Sequence, residues 1–386
     1  MHPEMEMVKS WVVRGGTSKA IFLMKNDLPS DLIKRDAVIR AIFGSPDVRQ
    51  IDGLGGADSL TSKLAIIGPS TRKDCDVDYT FGQVSITTEF VDYNGNCGNI
   101  SSAVGPFAID EGLVTPIEPY TTVRIHLTNT DNVITAIVPV KGGKAAVEGD
   151  YEIDGVPGTG AKIVLDFADT QGAFTGKLLP TGNAKDTIKI DNKDYVVSIV
   201  DAGNPLVFIL ASDLGMKGTE TPQEIEADPK LMAVIEKIRG KVAEIVGLVE
   251  KAELAATKSP YIPFFAIVSK PADYTTYNGK DIKEEDVDLV SRLLFMLKMH
   301  KAYPVTGTTC TGAAARIPGS IVWDVLREEA KSRPTIQIGH PQGIIPVESE
   351  AEIVNGEVNL KRIAIYRTAR TIMQGYSYVR KTVFSK

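Results

Sequence analysis

Short apolar runs of alternating, β-branched character recur along the whole chain without the regular spacing of a strand–helix–strand repeat, and this pattern most limits the fold. Val84–Phe90, Thr121–Leu127, Ile134–Val140, Thr187–Ile190, Tyr195–Val200, Val207–Ala211 and Phe264–Val268 all read as strands. Few segments show helical spacing. Asp228-Pro229 opens one, with a capping acceptor followed by proline at the first helical position. Leu231, Ile235, Ile238, Val242, Ile245 and Val246 then line one face. Glu284–His300 reads as a second helix, with Val287, Val290, Leu294 and Leu297 at helical spacing, and a third follows Pro318 with Ile321, Val325 and Leu326. A doubly wound parallel sheet needs steady alternation of strands and helices. The expectation is therefore an α+β protein.

At 386 residues, the chain has the length of two domains of roughly 100–200 residues each. A short internal echo points the same way. Asn94–Gly105 reads NGNCGNISSAVG and Gly307–Ile317 reads GTTCTGAAARI, each a cysteine among small residues able to start a helix. The echo predicts two similar domains facing each other across a cleft, with one cysteine-bearing helix start from each. The polar, turn-rich stretch Thr181–Asp186 marks the expected junction. The expected halves are residues 1–183, joined by a C-terminal strand at 367–386, and residues 184–366.

A formal net charge of -6 argues against general nucleic-acid or anionic-membrane binding, though local cations can still hold an anionic substrate. No apolar run reaches the roughly 18 residues of a membrane span, and MHPEMEMVKS lacks the apolar core of a secretory signal. Three scattered cysteines, Cys75, Cys97 and Cys310, argue against a disulfide framework or a zinc site. The chain reads as cytoplasmic, with free thiols. GAFTGKL at Gly172–Leu178 has the wrong spacing for a phosphate loop, and GLGGAD at Gly53–Asp58 lacks the third glycine of a dinucleotide fingerprint. No two of the four histidines stand at i,i+4, so no metal is expected; the chemistry falls to side chains, without a cofactor.

Three segments can carry it. In NGNCGNISS, Gly95 and Gly98 bracket Cys97 and allow a tight turn. A thiol at a helix start is acidified by the dipole, and the amides of Gly98 and Asn99 can take a carboxylate. The alternative is an inert buried cysteine, the usual fate of free thiols. In IDGLGGADSLTSK at Ile51–Lys63, a loop too rich in glycine for a core ends at Lys63, at the entrance of the apolar strand LAIIG. Lys63 is either a solvated surface residue or a group that clamps a carboxylate, steadies an enolate or donates a proton. In RGGTSK, Gly15-Gly16 makes a turn, Thr17 and Ser18 offer hydroxyls, and Arg14 and Lys19 offer charge; the alternative is an ordinary hairpin. Later in the chain His300, Cys310 and Thr311 are further candidates, and Asn204-Pro205 and His340 lie in turn-like segments that are structural on the simpler reading.

RGGTSK, GSPD, QIDGLGGAD followed by TSK, DVDYTFGQVSI, NGNCGN, AVGPFAIDEG and the late RTAR at Arg367–Arg370 together resemble the methylitaconate/methylaconitate isomerase family. The resemblance spans about Arg14 to Arg370. It implies the diaminopimelate epimerase-like fold, two topologically related domains with the active site between them. It implies a double-bond shift in a branched unsaturated di- or tricarboxylate, without metal or organic cofactor, by a homotetramer. On it, the catalytic cysteine and lysine fall on Cys97 and Lys63, with substrate contacts at Ser18, Thr17, Lys19, Gly98, Asn99, His300, Cys310 and Thr311. GLGGAD and NGNCGN look closest to the methylitaconate branch, with the methylaconitate and oxalomesaconate branches as alternatives. A two-cysteine epimerase using Cys97 and Cys310, or a dicarboxylate-binding protein without turnover, are the readings outside it.

Overall fold

The computed structural model describes residues 2–384. The chain forms two compact units, Met1–Leu165 with Arg367–Lys386, and Asp166–Tyr366.

The first unit is built on strands β1 (Met5–Gly15), β2 (Ser18–Met24), β3 (Lys63–Pro69), β4 (Val77–Val84), the short β5 (Val91–Asp92), β6 (Tyr120–Leu127) and β7 (Asn132–Lys141). Helix α1 (Leu32–Phe43) connects β2 to β3, and α2 (Gly98–Asp110) lies between β5 and β6. The C-terminal strand Ala369–Arg380 pairs antiparallel with β1. From it the order runs β1, β2, β3, β4, β6, β7, with β2–β3 and β4–β6 parallel and the other pairs antiparallel. The two parallel pairs are the two places where the chain crosses over through a helix, because parallel neighbours cannot be joined by a tight turn.

Alternation along the strands sorts side chains onto two faces. Ile21, Leu23, Leu64 and Ile66 pack against Val38, Ile39, Ile42 and Phe43 of α1. Trp11 and Phe22 meet Phe107 of α2, with ring centroids 5.0 and 5.1 Å apart. Gly105 lets α2 lie close, since a side chain there would meet Val138 at 2.8 Å.

In the second unit, Asp186–Ile190, Lys193–Ala202, Asn204–Leu210, Phe264–Ser269, Leu289–Phe295, Thr335–His340, Gly343–Val354 and Glu357–Arg367 are the main strands. Its helices are α3 (Pro222–Glu226), α4 (Pro229–Ile245), the single turn α5 (Ala255–Lys258), α6 (Val305–Ala314) and α7 (Ile321–Val325). Its first seven strands pair in the sequence antiparallel, antiparallel, parallel, antiparallel, parallel, antiparallel. The first unit shows the same succession from its C-terminal strand to β7. The crossovers also correspond, α4 to α1 and α6 to α2. The α+β class and the duplication expected from the echo are thus both present.

The Asp228 side chain accepts from the amides of Lys230 and Leu231, and Ile235, Ile238 and Val242 are buried, as the capping pattern predicts. The short helix after Pro318 also forms, at Ile321–Val325.

Two of the expected elements do not form. Glu284–His300 is not a helix. A 3-10 turn at Glu284–Asp286 leads into the strand Leu289–Phe295, buried along nearly its whole length, and Met296 and Leu297 turn at positive φ into the short strand Lys298–Met299. A fully buried strand carries apolar residues on both faces, so helical spacing appears in it by chance. Nor is Val84–Phe90 a strand: β4 ends at Val84, and Ser85–Phe90 is a turn closed by the Ser85 amide donating to the Phe90 carbonyl at 3.0 Å.

A buried polar contact joins β4 to β6. Asp78 lies beside His126, with Oδ1 2.8 Å from His126 Nδ1, and also accepts from the Thr71 amide. Burial pushes the Asp78 pKa up, but the hydrogen bonds from Thr71 and His126 outweigh it and the net shift is downward. A carboxylate with a lowered native pKa stabilises the fold above its unfolded pKa of about 3.9, and that stabilisation disappears as pH falls through the native value. Urea denaturation followed across pH is expected to show a stable plateau above about pH 4 and a decline below it. In Asp78→Asn the decline is expected to be shallower; an unchanged slope would remove Asp78 from the account.

Candidate active site

The start of α2 is the focus of the first unit. Cys97 is its N-cap residue, in extended conformation at φ -113° and ψ 99°, and no side chain caps the helix. Its carbonyl accepts from the Ser101 amide and hydroxyl, at 2.9 and 3.0 Å. The thiol side chain is partly exposed. The first-turn amides of Gly98 and Asn99 therefore have no side-chain acceptor at the positive end of the helix dipole.

The RGGTSK segment is a hairpin turn, and it is also clamped against this helix start. A side chain at Gly15 would meet the Asn99 carbonyl at 2.5 Å, and one at Gly16, where φ is +50°, would meet Asn99 Oδ1 at 2.3 Å. Asn99 Nδ2 donates to Thr17 Oγ1 at 3.0 Å. Gly15 and Ser18 are cross-strand partners, so Ser18 shares the face that α2 covers. Its hydroxyl is buried and has no hydrogen-bond partner among the described residues. Buried hydroxyls are nearly always satisfied, so this one is open to a ligand.

Lys63 begins β3 and lies opposite Ala20 of β2, again on the α2 face. The glycine-rich loop before it wraps the buried Gln50 side chain, whose Oε1 accepts from the Ala57 amide and the Ser62 hydroxyl, at 2.8 and 2.7 Å. A side chain at Gly55 would lie 2.2 Å from that amide group. The loop is thus shaped around one glutamine and delivers Ser62-Lys63 into the sheet. Lys63 is 6% exposed; its Nζ donates to Gln83 Oε1 at 2.9 Å and stands 5.4 Å from the Phe81 ring centroid. The Gln83 amide nitrogen is itself held by the carbonyls of Ser59 and Ser62. Among the described residues no carboxylate pairs with Lys63. A buried ammonium with a neutral partner is costly unless something anionic visits it.

Not every candidate joins this group. Arg14 and Lys19 are cross-strand partners on the opposite face of the sheet. Arg14 donates to the carbonyls of Gly16 and Thr368, and burial, then Arg370, lowers its pKa. In the second unit, the echo misplaces the helix start: α6 begins at Val305, with Pro304 as N-cap, and Cys310 lies inside it. Cys310 is fully buried, its thiol donates to the Val200 carbonyl at 3.3 Å, and burial raises its pKa well above normal. Thr311, also fully buried, donates to the Gly307 carbonyl at 2.8 Å and contacts the Tyr303 hydroxyl at 3.0 Å. His300 is partly buried after a short strand, and its Nδ1 accepts from the Ala302 amide at 3.0 Å. Asn204 opens a strand, its amide donating to Thr306 Oγ1, and His340 sits at a hairpin turn where Nδ1 accepts from the Gln342 amide.

Three residues of the site carried no separate signal in the reading of motifs. Gln50 and Gln83 bracket the lysine loop, and Arg367 donates from Nε to Asn99 Oδ1 at 3.1 Å. Only the RTAR segment drew notice to Arg367, and as part of a resemblance.

Residues 5–380 match the family described as PrpF protein. The chain belongs to the PrpF family. Within the PrpF family it is 56% identical, over 96% of both chains, to 3-methylitaconate isomerase of Eubacterium barkeri. It is 40% identical to 2-methyl-aconitate isomerase of Cupriavidus necator, over 94% of this chain and 95% of that one. A crystal structure of methylitaconate-delta-isomerase superposes with a TM-score of 0.88 at 54% identity, covering 99% of this chain and 97% of the other.

Replacing Lys63 by methionine separates stability from activity. Removing a buried cation that lacks a counter-ion is expected to leave the thermal midpoint equal to or above wild type. Turnover is expected to fall at least ~100-fold, the scale of a lost proton-transfer or charge-stabilising group. Calorimetry beside a steady-state assay checks both; a clear drop in melting temperature would make Lys63 a structural residue.

Proposed function

We infer that this protein is an isomerase that converts 3-methylitaconate to 2,3-dimethylmaleate by an allylic proton shift, with Cys97 and Lys63 as its proton-transfer groups. The observation that carries the reading is the 56% identity to 3-methylitaconate isomerase, against 40% to 2-methyl-aconitate isomerase. The arrangement at the α2 start gives it a chemical form.

One substrate carboxylate lies against the first-turn amides of Gly98 and Asn99, with the Ser18 hydroxyl and the Lys63 ammonium beside it. The substrate C–H that breaks is both allylic and adjacent to a carboxylate. Cys97, as thiolate, takes that proton, and the electron pair spreads through the double bond onto the carboxylate oxygens. Lys63 and the helix amides stabilise the added negative charge, a contribution usually large in such steps. The Cys97 thiol, or Lys63, then protonates the far carbon, so the double bond moves and the atoms balance. Every group invoked belongs to this chain, and no metal or organic cofactor enters.

A two-base epimerase needs two accessible, ionisable thiols. Cys310, buried within α6 with a raised pKa, is a poor counterpart to the partly exposed Cys97.

The reading carries over from the family a cytoplasmic homotetramer. No described helix is long and apolar enough to cross a membrane. Self-association is supported by the C-terminal strand, which pairs with β1 and exposes Ile372, Met373, Tyr376 and Tyr378. Light scattering is expected to return four times the chain mass; a monomer would remove the tetramer from the reading.

Proton NMR in deuterated buffer tests the chemistry, with 3-methylitaconate, itaconate, 2-methylaconitate and 4-oxalomesaconate as substrates. Rapid conversion of 3-methylitaconate is expected, lost ~10²–10⁴-fold in Cys97→Ser and little changed in Cys310→Ser. Preference for another acid would keep the proton shift and change the substrate. Deuterium uptake without double-bond migration would overturn the isomerase.

A further inference from the structure

Strand β4 has β3 along one edge, from Val77 to Gln83. Its other edge is divided. β6 pairs with Val77, Asp78 and Tyr79, and β5 pairs with Gln83 and Val84. β6 ends at Leu127, and the Thr128 amide donates to the Tyr79 carbonyl at 3.0 Å, so no strand reaches Phe81 on that edge.

The Asn129 side chain takes the place of the missing strand. Its Oδ1 accepts from the Phe81 amide at 2.8 Å, and its Nδ2 donates to the Phe81 carbonyl at 2.9 Å. These are the two contacts that a paired residue of a neighbouring strand would make. Nδ2 gives its second hydrogen to the Tyr93 carbonyl, at 2.7 Å. An amide that accepts from one N–H and donates to two carbonyls has a single orientation. The turn around it, residues 128–131 between β6 and β7, is held at every other position as well. Thr128 Oγ1 lies 2.5 Å from Thr80 Oγ1, and Thr130 Oγ1 accepts from Asn96 Nδ2 at 2.9 Å. Asp131, at φ +53°, lies 2.9 Å from His126 Nε2. A connection between antiparallel strands needs only its own closure, so this turn does more than join β6 to β7.

Its contacts lead to both proton-transfer groups. The Phe81 ring centroid is 5.4 Å from Lys63 Nζ, and Gln83, two residues on, accepts from that ammonium. Tyr93 directly follows β5, and residues 93–97 run from it to Cys97, the N-cap of α2. Asn129 and Thr130 hold that run at Tyr93 and Asn96, on either side of Gly95, whose φ is +132°. One side-chain amide therefore spans the strand beside the lysine and the chain that enters the thiol.

We propose that Asn129 is a positioning residue for the isomerisation: its amide ties β4 to the segment leading into Cys97 and so sets the thiol and the Lys63 ammonium relative to each other. This rests on the reading of Cys97 and Lys63 as the proton-transfer groups. Asn129 itself moves no proton.

The test uses the full chain in deuterated buffer with 3-methylitaconate. Proton NMR reads the deuterium in recovered substrate per double bond moved. A displaced thiol that can remove a proton can also return one to the same carbon, whereas delivery to the far carbon needs the lost alignment. In Asn129→Ala, kcat/KM is expected to fall ~100-fold, the scale of a misplacement of about 1 Å, and the ratio to rise ~10-fold. A smaller fraction of active protein lowers the rate and leaves the ratio alone, so a folded Asn129→Ala with the wild-type ratio overturns the proposal whatever its rate. Should that variant not fold, Thr130→Val, which removes the acceptor of Asn96, is read in the same way, and a wild-type ratio overturns the proposal equally. Hydrogen exchange of the ligand-free protein keeps this result distinct from the assigned function. In Asn129→Ala, faster exchange is expected at residues 80–82 and 93–97, with the rest of the first unit unchanged. If the wild type does not convert 3-methylitaconate, faster exchange there faults the assigned function and leaves Asn129 as the anchor of the Cys97 segment, whereas unchanged exchange removes both.

Discussion

The contact on which the first unit depends is the approach of two glycines to Asn99. Gly15 and Gly16 carry no side chain where one would strike the Asn99 carbonyl and amide at 2.5 and 2.3 Å. That vacancy lets the hairpin seat directly on the first turn of α2. It places Ser18 and Lys63, both on the α2 face, on the same side of the sheet as the Cys97 helix start. Any larger residue would push the helix away and disperse the polar groups. The cost is the loose backbone of two consecutive glycines, offset by the hydrogen bonds that Asn99 makes in both directions.

The sheet then explains why the polar groups stay where they are. Strand alternation divides neighbouring residues strictly, so Ser18 faces the helix and Lys19 does not. The same rule sets Lys63, Gln83 and Phe81 on one face, where a neutral amide orients the ammonium without cancelling its charge. An aspartate at Gln83 would bind the lysine more strongly and leave less for a substrate carboxylate. Neutral acceptors around a buried cation are what a site for anions needs.

Features set by neighbours in sequence were readable from the sequence; features set by the sheet were not. Asp228-Pro229 starts its helix, and the small residues after Cys97 start theirs, because capping and turn formation involve residues two to four apart. The helical spacing over Glu284–His300 misleads because the strand Leu289–Phe295 is buried on both faces, so its apolar residues flank the buried Ser291 and Arg292 without a period of two. Cys310 was misplaced because the echo aligns residue types, whereas the start of α6 is set by Pro304, six residues earlier. Lys63 with Gln83, and Asn99 with Arg367, are separated by 20 and 268 residues. Such pairs exist only once the strands are in register.

The path of the chain has a consequence for biosynthesis. The second unit is contiguous, whereas the first is assembled from the opening 165 residues and the closing 20, with Arg367 at the head of the closing part. A ribosome moving from the N-terminus delivers Ser18, Lys63 and Cys97 before the second unit and the strand that flanks β1 after it. Until that strand arrives, β1 offers a bare edge and Asn99 lacks its arginine. The inserted unit can fold while its host still waits for the strand that covers β1.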